Sequence, residues 1–550
     1  MTMPELHNAN NFRNSLGISN RSLAVMEHEA HVTDMRCAQY ALRMTLFGIS
    51  LLGLAPRLSW SQQLIHPMTP VEHVVVIFQE NQSFDHYFGT YPRAANLAEE
   101  PPFNSAPGTP TVNGLSEALL TRNPNLEQPW RISRSQSTGV IAACDNDHGY
   151  TAEQKAYDGG LVDKFVQFTG PKDLQCPKNF VMGYVDGNTV TALWNYAQRF
   201  AMSDNFFNST FGPSMPGAIN LVSGQTGGAI PENLTRLGDD HQTVNGTMVG
   251  NPPAAFDDCA ETTGTGVHFK GKNIGDLLNA QGITWGWFAA GFTPTGKTPD
   301  GKAICGQKHA ADNGQMLPVY DDPDPFEYYE STANPHHLPP SGVKLIGKTD
   351  QANHQYDLEL LWEAAKAGRM PSVSFIRGPE YSDGHAGYSS PLTEQRFLVN
   401  TINRLQSLPE WHSMAIFLTW DDSDGWYDHV MPPIVNHSQD PKFDALAGPG
   451  SCGSGESLGG IQSRCAYGPR LPLLIISPLA KVNFVDHHIA DQTSLIRFVE
   501  DNWNLGRIGN GSLDDLAGSL NDSFDFQHPQ RAALILNPET GEPIASSKKP

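Results

Sequence analysis

Apolar residues in this chain gather into short continuous runs separated by long polar stretches. Val74–Phe78 (VVVIF) is apolar at every position and mostly β-branched, the pattern of a strand buried on both faces of a parallel sheet. Similar runs recur at Val373–Ile376, Met414–Leu418 and Leu473–Ile476. Between them the spacing becomes helical: Leu398, Val399, Ile402 and Leu405 share one face, with Ser390 as cap and Pro391 in the first turn. Strands alternating with amphipathic helices predict an α/β fold, a central, mostly parallel sheet flanked by helices on both faces.

Three stretches stand outside that rhythm. Residues from about 228 to 345 are rich in Gly, Pro, Asn and Asp and predict a loop-rich cap over the sheet edge. Gly448–Gly460 (GPGSCGSGESLGG) reads as a loop tethered through Cys452 and Cys465, and the polar segment beyond residue 511 as a tail on the outside. Met44–Ala55 (MTLFGISLLGLA), preceded by Arg43, has the length of a signal-peptide core and is too short to span a bilayer. Cleavage is expected near Ser61–Gln62, with Met35 as the start of a leader of ordinary size. The organisation expected is an N-terminal extension and signal peptide over 1–61, a catalytic domain over 62–510 containing the cap, and a C-terminal tail over 511–550.

Charge narrows the function. The chain carries 36 Lys+Arg against 58 Asp+Glu, so no broad basic face is available to neutralise a nucleic-acid backbone, and no nucleic-acid partner is expected. Binding of any anionic substrate by so acidic a chain calls for a local cation, which a bound metal would provide. Of seven Cys, removal of the leader would discard Cys37 and leave Cys144, Cys176, Cys259, Cys305, Cys452 and Cys465. An even number in an exported chain predicts three disulfides, and pairing of sequence neighbours is the simplest connectivity. The expected destination is the periplasm or the exterior of a bacterial cell.

The polar segments that follow the apolar runs carry the candidate chemistry. Phe78–Tyr91 (FQENQSFDHYFGTY) places Glu80 and Asn81 at the carboxyl edge of the first strand, where open α/β sheets bind ligands. Thr419–Val430 (TWDDSDGWYDHV) does the same with Asp421 and Asp422. Three carboxylates and one amide oxygen converging there would suit a hard divalent cation; the alternative is that they cap loops. In Phe211–Leu221 (FGPSMPGAINL), Ser214 falls near the start of a helix opened by Pro216. It can be an N-cap, or an oxygen nucleophile beside amides and a dipole that stabilise anions.

Taken together, FQENQSFDHYFGTYP, YVDGNTVTALWNYAQRFAMSDNFF, FGPSMPGAINLVSGQT, YSDGHAGYSSP and DDSDGWYDHV resemble the phosphoesterase family of bacterial phospholipases C and acid phosphatases, from about Val71 to Val499. The resemblance implies an alkaline phosphatase-like fold and one divalent metal ion held by Glu80, Asn81, Asp421 and Asp422, with Ser214 both touching the metal and acting as nucleophile. His148 in DNDHGY and His385 in SDGHAG match pocket histidines that orient the phosphoryl group or protonate the leaving oxygen. The match breaks at Asp321–Tyr329 (DDPDPFEYY), where the family's pattern has a His pair before Pro-Phe; His336 and His337 are the nearby substitutes.

The implied activity is hydrolysis of phosphate esters through a metal-bound serine and a phosphoserine intermediate. A phospholipase C acting on phospholipid head-group diesters is the first reading, with transient contact with a membrane surface. An acid phosphatase acting on small monoesters is the second. A catalytically dead lipid- or glycan-binding scaffold would show damage at the expected positions, and Glu80, Asn81, Ser214, Asp421 and Asp422 are intact. A sulfatase would need a Cys-x-Pro-x-Arg run, which the chain lacks.

Overall fold

Nine strands make up the central sheet: β1 His73–Gln79, β2 Ala201–Phe207, β3 Trp285–Ala289, β4 Gln355–Asp357, β5 Val373–Arg377, β6 Met414–Trp420, β7 Arg470–Ile476, β8 Phe484–Asp486 and β9 Ala490–Asp491. Their spatial order is β4-β3-β5-β1-β6-β7-β2-β8, with β9 also paired to β2. All pairings are parallel except those of β7, which runs antiparallel to both β6 and β2. The four expected strands are therefore present in a mostly parallel sheet. The reversal of β7 was not legible, because a run buried on both faces reads the same in either direction.

The helices that position the site are α1 Phe84–Phe88, α2 Tyr150–Tyr157, α3 Thr191–Arg199, α4 Ser214–Ser223, α5 Ile274–Gln281, α6 Leu358–Lys366, α7 Pro391–Gln406 and α8 Thr493–Trp503. Successive residues of β1 face opposite layers, as the strand period requires. Val75 and Ile77 enter a core with Trp194 of α3, Trp362 of α6 and Leu398 and Ile402 of α7. Val74, Val76 and Phe78 enter a second core with Ile219 of α4, Leu278 of α5 and Phe498 of α8. Helices thus cover both faces. Each fully buried aliphatic side chain in these layers contributes about 1.5–3 kcal/mol. The expected cap on α7 is present: Ser390 accepts from the Thr393 amide, with Pro391 opening the helix.

The computed structural model describes residues 66–231, 243–260, 265–320, 324–440, 442–446 and 452–544. All of them belong to one compact unit, Leu64–Pro550. The leader features expected at Met35, Cys37, Met44–Ala55 and Ser61 lie outside the described residues. No described helix is long and apolar enough to cross a membrane. Cys144–Cys176, Cys259–Cys305 and Cys452–Cys465 form the three neighbour disulfides.

The cap expected over 228–345 needs correction in one respect: α5 and β3 lie inside it, and β3 enters the central sheet with Trp285 and Trp287 fully buried. The short WGWFA run was masked by the Gly- and Pro-rich composition on either side. Around it the segment does form small hairpins, such as Lys308–Ala310 with Met316–Pro318. The tail runs along α7, where Asn403 and Gln406 bond the backbone of Leu536 and Leu534.

Candidate active site

β1, β5 and β6 are adjacent and parallel, so the residues that follow them meet at one edge of the sheet. Glu80 and Asn81 leave β1, Arg377 ends β5, and Asp421 and Asp422 leave β6. Carboxylate oxygens of Glu80, Asp421 and Asp422 lie within 4.8 Å of one another, and all three residues are buried. Asn81 takes the left-handed backbone (φ 44°) that asparagine tolerates. The Asp421 carbonyl is held by the side-chain amides of Asn208 at 2.9 Å and Gln492 at 2.7 Å.

Helix α4 abuts this edge through a glycine. A Cβ on Gly217 would lie 2.0 Å from the Asp421 carbonyl oxygen, so only glycine permits the approach. Pro213 occupies the cap position and Ser214 is the first helical residue, which removes the N-cap reading. The Ser214 hydroxyl instead donates to Glu80 Oε2 at 3.0 Å. The amide cradle expected at this helix end is thinner than the sequence suggests, since Met215 N–H donates to Asn251 Oδ1 at 2.9 Å and Pro216 has no N–H.

Burial raises the Asp421 carboxyl above the usual range, with Arg377 opposing, and pushes Asp422 up to about 7. Such a cluster needs positive charge. Arg377 supplies one: its guanidinium, 1 % exposed, pairs with Glu80 and stands 3.5 Å from Asp421 Oδ2. The Asn81 side-chain amide lies against oxygens of Glu80 and Asp421, and with its nitrogen turned towards them it donates to Asp421 Oδ1 at 2.8 Å. Three buried carboxylates within 4.8 Å of one another, with an amide that can turn its oxygen towards them, make an oxygen donor set that fits a hard divalent cation. Glu80, Asn81, Asp421 and Asp422 are therefore the residues that could hold one.

His148 and His385 come together beside this cluster, ring centroids 5.6 Å apart. His148 precedes α2; its Nδ1 lies 3.1 Å from the Asn146 carbonyl and 3.3 Å from Asp424 Oδ1. His385 Nδ1 pairs with the Ala386 carbonyl, and its ring stacks on Tyr388. Asp383 accepts both the His385 amide at 3.0 Å and the Tyr388 hydroxyl at 3.1 Å. Burial depresses both imidazoles, but around His148 the carboxylates Asp422, Asp424 and Asp145 outweigh it and raise the group well above its ordinary value. In His385 burial prevails and the shift is downward. The two neighbouring rings are thus shifted in opposite directions. Both line a cleft of about 570 Å³ that also includes Pro213, next to Ser214, and Asp145, Lys172 and Tyr388.

Two residues here carried no signal in the sequence. Arg377 closes an apolar strand, and Glu153 is one acidic residue in a polar helix; only the fold brings them inward. Glu153, 1 % exposed, accepts from the Gly212 amide at 2.9 Å and from the Ser423 hydroxyl at 2.7 Å. The substitute histidines do not reach the cluster's chemistry. Both nitrogens of His337 are engaged, by the Phe292 carbonyl at 2.7 Å and Asp257 at 2.8 Å, and His336 is an exposed partner of Asp258. Residues 321–323, where the family's His pair would fall, lie outside the described residues.

A family model described as the Phosphoesterase family matches residues 71–506. A non-hemolytic phospholipase C of Burkholderia pseudomallei is 25% identical over 478 residues, covering 84% of this chain and 59% of the relative. A second non-hemolytic phospholipase C, from Pseudomonas aeruginosa, is 24% identical over 495 residues, 86% of this chain and 60% of the relative. The chain thus spans about 60% of the length of these two relatives. Among solved structures, murine ectonucleotide pyrophosphatase/phosphodiesterase 5 aligns with 61% of this chain and 95% of its own, at 12% identity and a TM-score of 0.31.

Proposed function

The chain belongs to the Phosphoesterase family, and from that premise we propose that it is an exported, metal-dependent phospholipase C that cleaves phospholipid head-group diesters with Ser214 as nucleophile. The observation that carries the reading is the Ser214 hydroxyl, which caps no helix and donates to Glu80 at 3.0 Å, beside a converging set of oxygen donors. A divalent cation on Glu80, Asn81, Asp421 and Asp422 would supply Lewis-acid stabilisation of the charge that develops on the phosphoryl oxygens.

The chain's own groups move the protons. Ser214 Oγ passes its proton to Glu80 Oε2, which already accepts it, and attacks phosphorus as the bond to the diacylglycerol oxygen breaks. His148, whose basicity the surrounding carboxylates raise and whose Nδ1 is held by the Asn146 carbonyl, gives its Nε2 proton to the departing alkoxide. The second half runs in reverse. Water attacks the phosphoserine and loses a proton to Nε2 of His148, left neutral by the first half, which restores that ring; Ser214 regains its proton from Glu80. His385, its Nδ1 engaged with the Ala386 carbonyl, orients the phosphoryl group through Nε2. Three disulfides support export to an oxidising compartment.

The test is hydrolysis of para-nitrophenyl phosphorylcholine beside para-nitrophenyl phosphate, with and without chelator, for wild type and Ser214→Ala. The choline diester should be preferred, and chelation and Ser214→Ala should each cost orders of magnitude. Preference for the monoester would make the same site that of a phosphatase. Near-normal turnover by Ser214→Ala would remove the serine from the mechanism.

A further inference from the structure

Resting on that reading of Ser214, we infer that Glu153 is a positioning residue that locks the nucleophile to the metal-ligand loop. One carboxylate spans two segments that are far apart in sequence. Its Oε2 accepts the Gly212 amide, two residues before Ser214, and its Oε1 accepts the Ser423 hydroxyl, between Asp422 and Asp424. Both oxygens are used, and the side chain is 1 % exposed. Solvent therefore has little opportunity to replace either bond if the carboxylate is removed.

The turn on which Gly212 sits needs such a clasp. Gly212 adopts φ 120°, a conformation that L side chains rarely take, and the turn feeds directly into Pro213 and Ser214. On the other side, Ser423 also accepts from the Gly425 amide at 3.1 Å, which fixes the loop behind Asp422. Asp424 in that loop pairs with His148, which stands at the start of the helix that carries Glu153. Nucleophile turn, ligand loop and pocket histidine thus close into one ring of contacts with Glu153 at its centre. Removing the clasp frees Ser214 to drift relative to Asp422 and His148, and a displacement of about 1 Å costs about 100-fold in rate. Glu153 itself is not among the residues that line the cleft, so the loss should fall mainly on kcat.

The experiment compares wild type with Glu153→Ala, Glu153→Gln and Ser423→Ala on para-nitrophenyl phosphorylcholine, reading kcat and KM separately. Melting temperature and Mn²⁺ affinity by titration are measured on the same full-length proteins. Glu153→Ala should lose about 100-fold in kcat with KM within about threefold and Mn²⁺ affinity near wild type. Glu153→Gln should recover at least about tenfold of that loss, because its amide oxygen can keep the Gly212 bond while Ser423 turns its proton away. The double variant Glu153→Gln/Ser423→Ala should lose less than the product of the single losses, the mark of two groups acting on one contact. Glu153→Ala with kcat within about threefold of wild type, or strictly multiplicative losses in the double variant, overturns the inference. If Glu153→Ala fails to fold, the Gln and Ser423 arms decide alone. Absence of any wild-type phosphoesterase activity would instead sink the reading of the site, so the two failures are distinct.

Discussion

Arg377 shows how one side chain can offset a buried cluster of carboxylates. Glu80, Asp421 and Asp422 bring three carboxyl groups into a buried pocket against one guanidinium, so the cluster is under-compensated and burial raises Asp421 and Asp422 above their ordinary range. Breaking a buried ion pair by removing one partner costs about 3–5 kcal/mol. Arg377→Met should therefore destabilise the chelated protein by about that amount. A divalent ion should then raise the variant's melting temperature more than it raises that of wild type, since the ion would neutralise what the arginine no longer does. Equal metal-induced shifts in calorimetry of the two proteins would mean that Arg377 is not the counter-charge of the cluster. Neither Arg377 nor Glu153 was legible as a site residue, because an arginine at a strand end and a glutamate in a polar helix are ordinary surface patterns. The placement of Glu80, Asn81, Asp421 and Asp422 was legible, because a polar pair directly after an apolar run marks a strand's carboxyl edge, but only the resemblance favoured metal ligands over loop caps. For Ser214 the residue type alone suggested a cap, and only the resemblance singled it out.

At the scale of elements, a second buried carboxyl joins three of them. Glu394 of α7 accepts the Tyr87 hydroxyl of α1 at 2.7 Å and the Trp420 indole of β6 at 2.7 Å. Burial pushes its pKa up to about 8, with the bonds from Tyr87 and Trp420 opposing and the Asp383 carboxylate adding to the rise. The native state then holds a proton that the unfolded chain has released, over the window from 4.5 to about 8. Stability contributed by this group is complete below that window, falls as pH rises through it, and is lost above about 8. Glu394→Gln, neutral at every pH, should flatten that fall. Melting temperatures at both ends of the window, at constant ionic strength, check it; parallel slopes in the two proteins would refute the assignment. The elements themselves were mostly readable, since β1, β5, β6 and β7 are unbroken apolar runs and α7 carries its own cap. What stayed hidden depended on partners distant in sequence: the reversed direction of β7, and the membership of β3, whose five residues lie within a loop-rich stretch.

For the whole molecule the governing quantity is charge. A formal net charge of −22 sets up a field that repels anionic surfaces beyond the reach of any single contact. The cleft does little to reverse it: Asp145, Asp147 and Asp173 line it beside Lys172, and Lys172 is already paired to Asp147 at 2.7 Å. An anion entering the cleft would thus meet the imidazoles of His148 and His385 among acidic neighbours. If the substrate is a phospholipid, phosphatidylcholine presented in zwitterionic vesicles should be hydrolysed faster than the same lipid diluted into vesicles rich in anionic lipid. The gap should be widest at about 0.01 M salt, where the screening length is about 30 Å, and should close towards about 1 M, where it is about 3 Å. Released phosphocholine measured across that range tests the point. A gap that ignores salt would place the preference in head-group contacts within the cleft, and no gap at low salt would mean that the protein meets the membrane through a face its net charge does not describe.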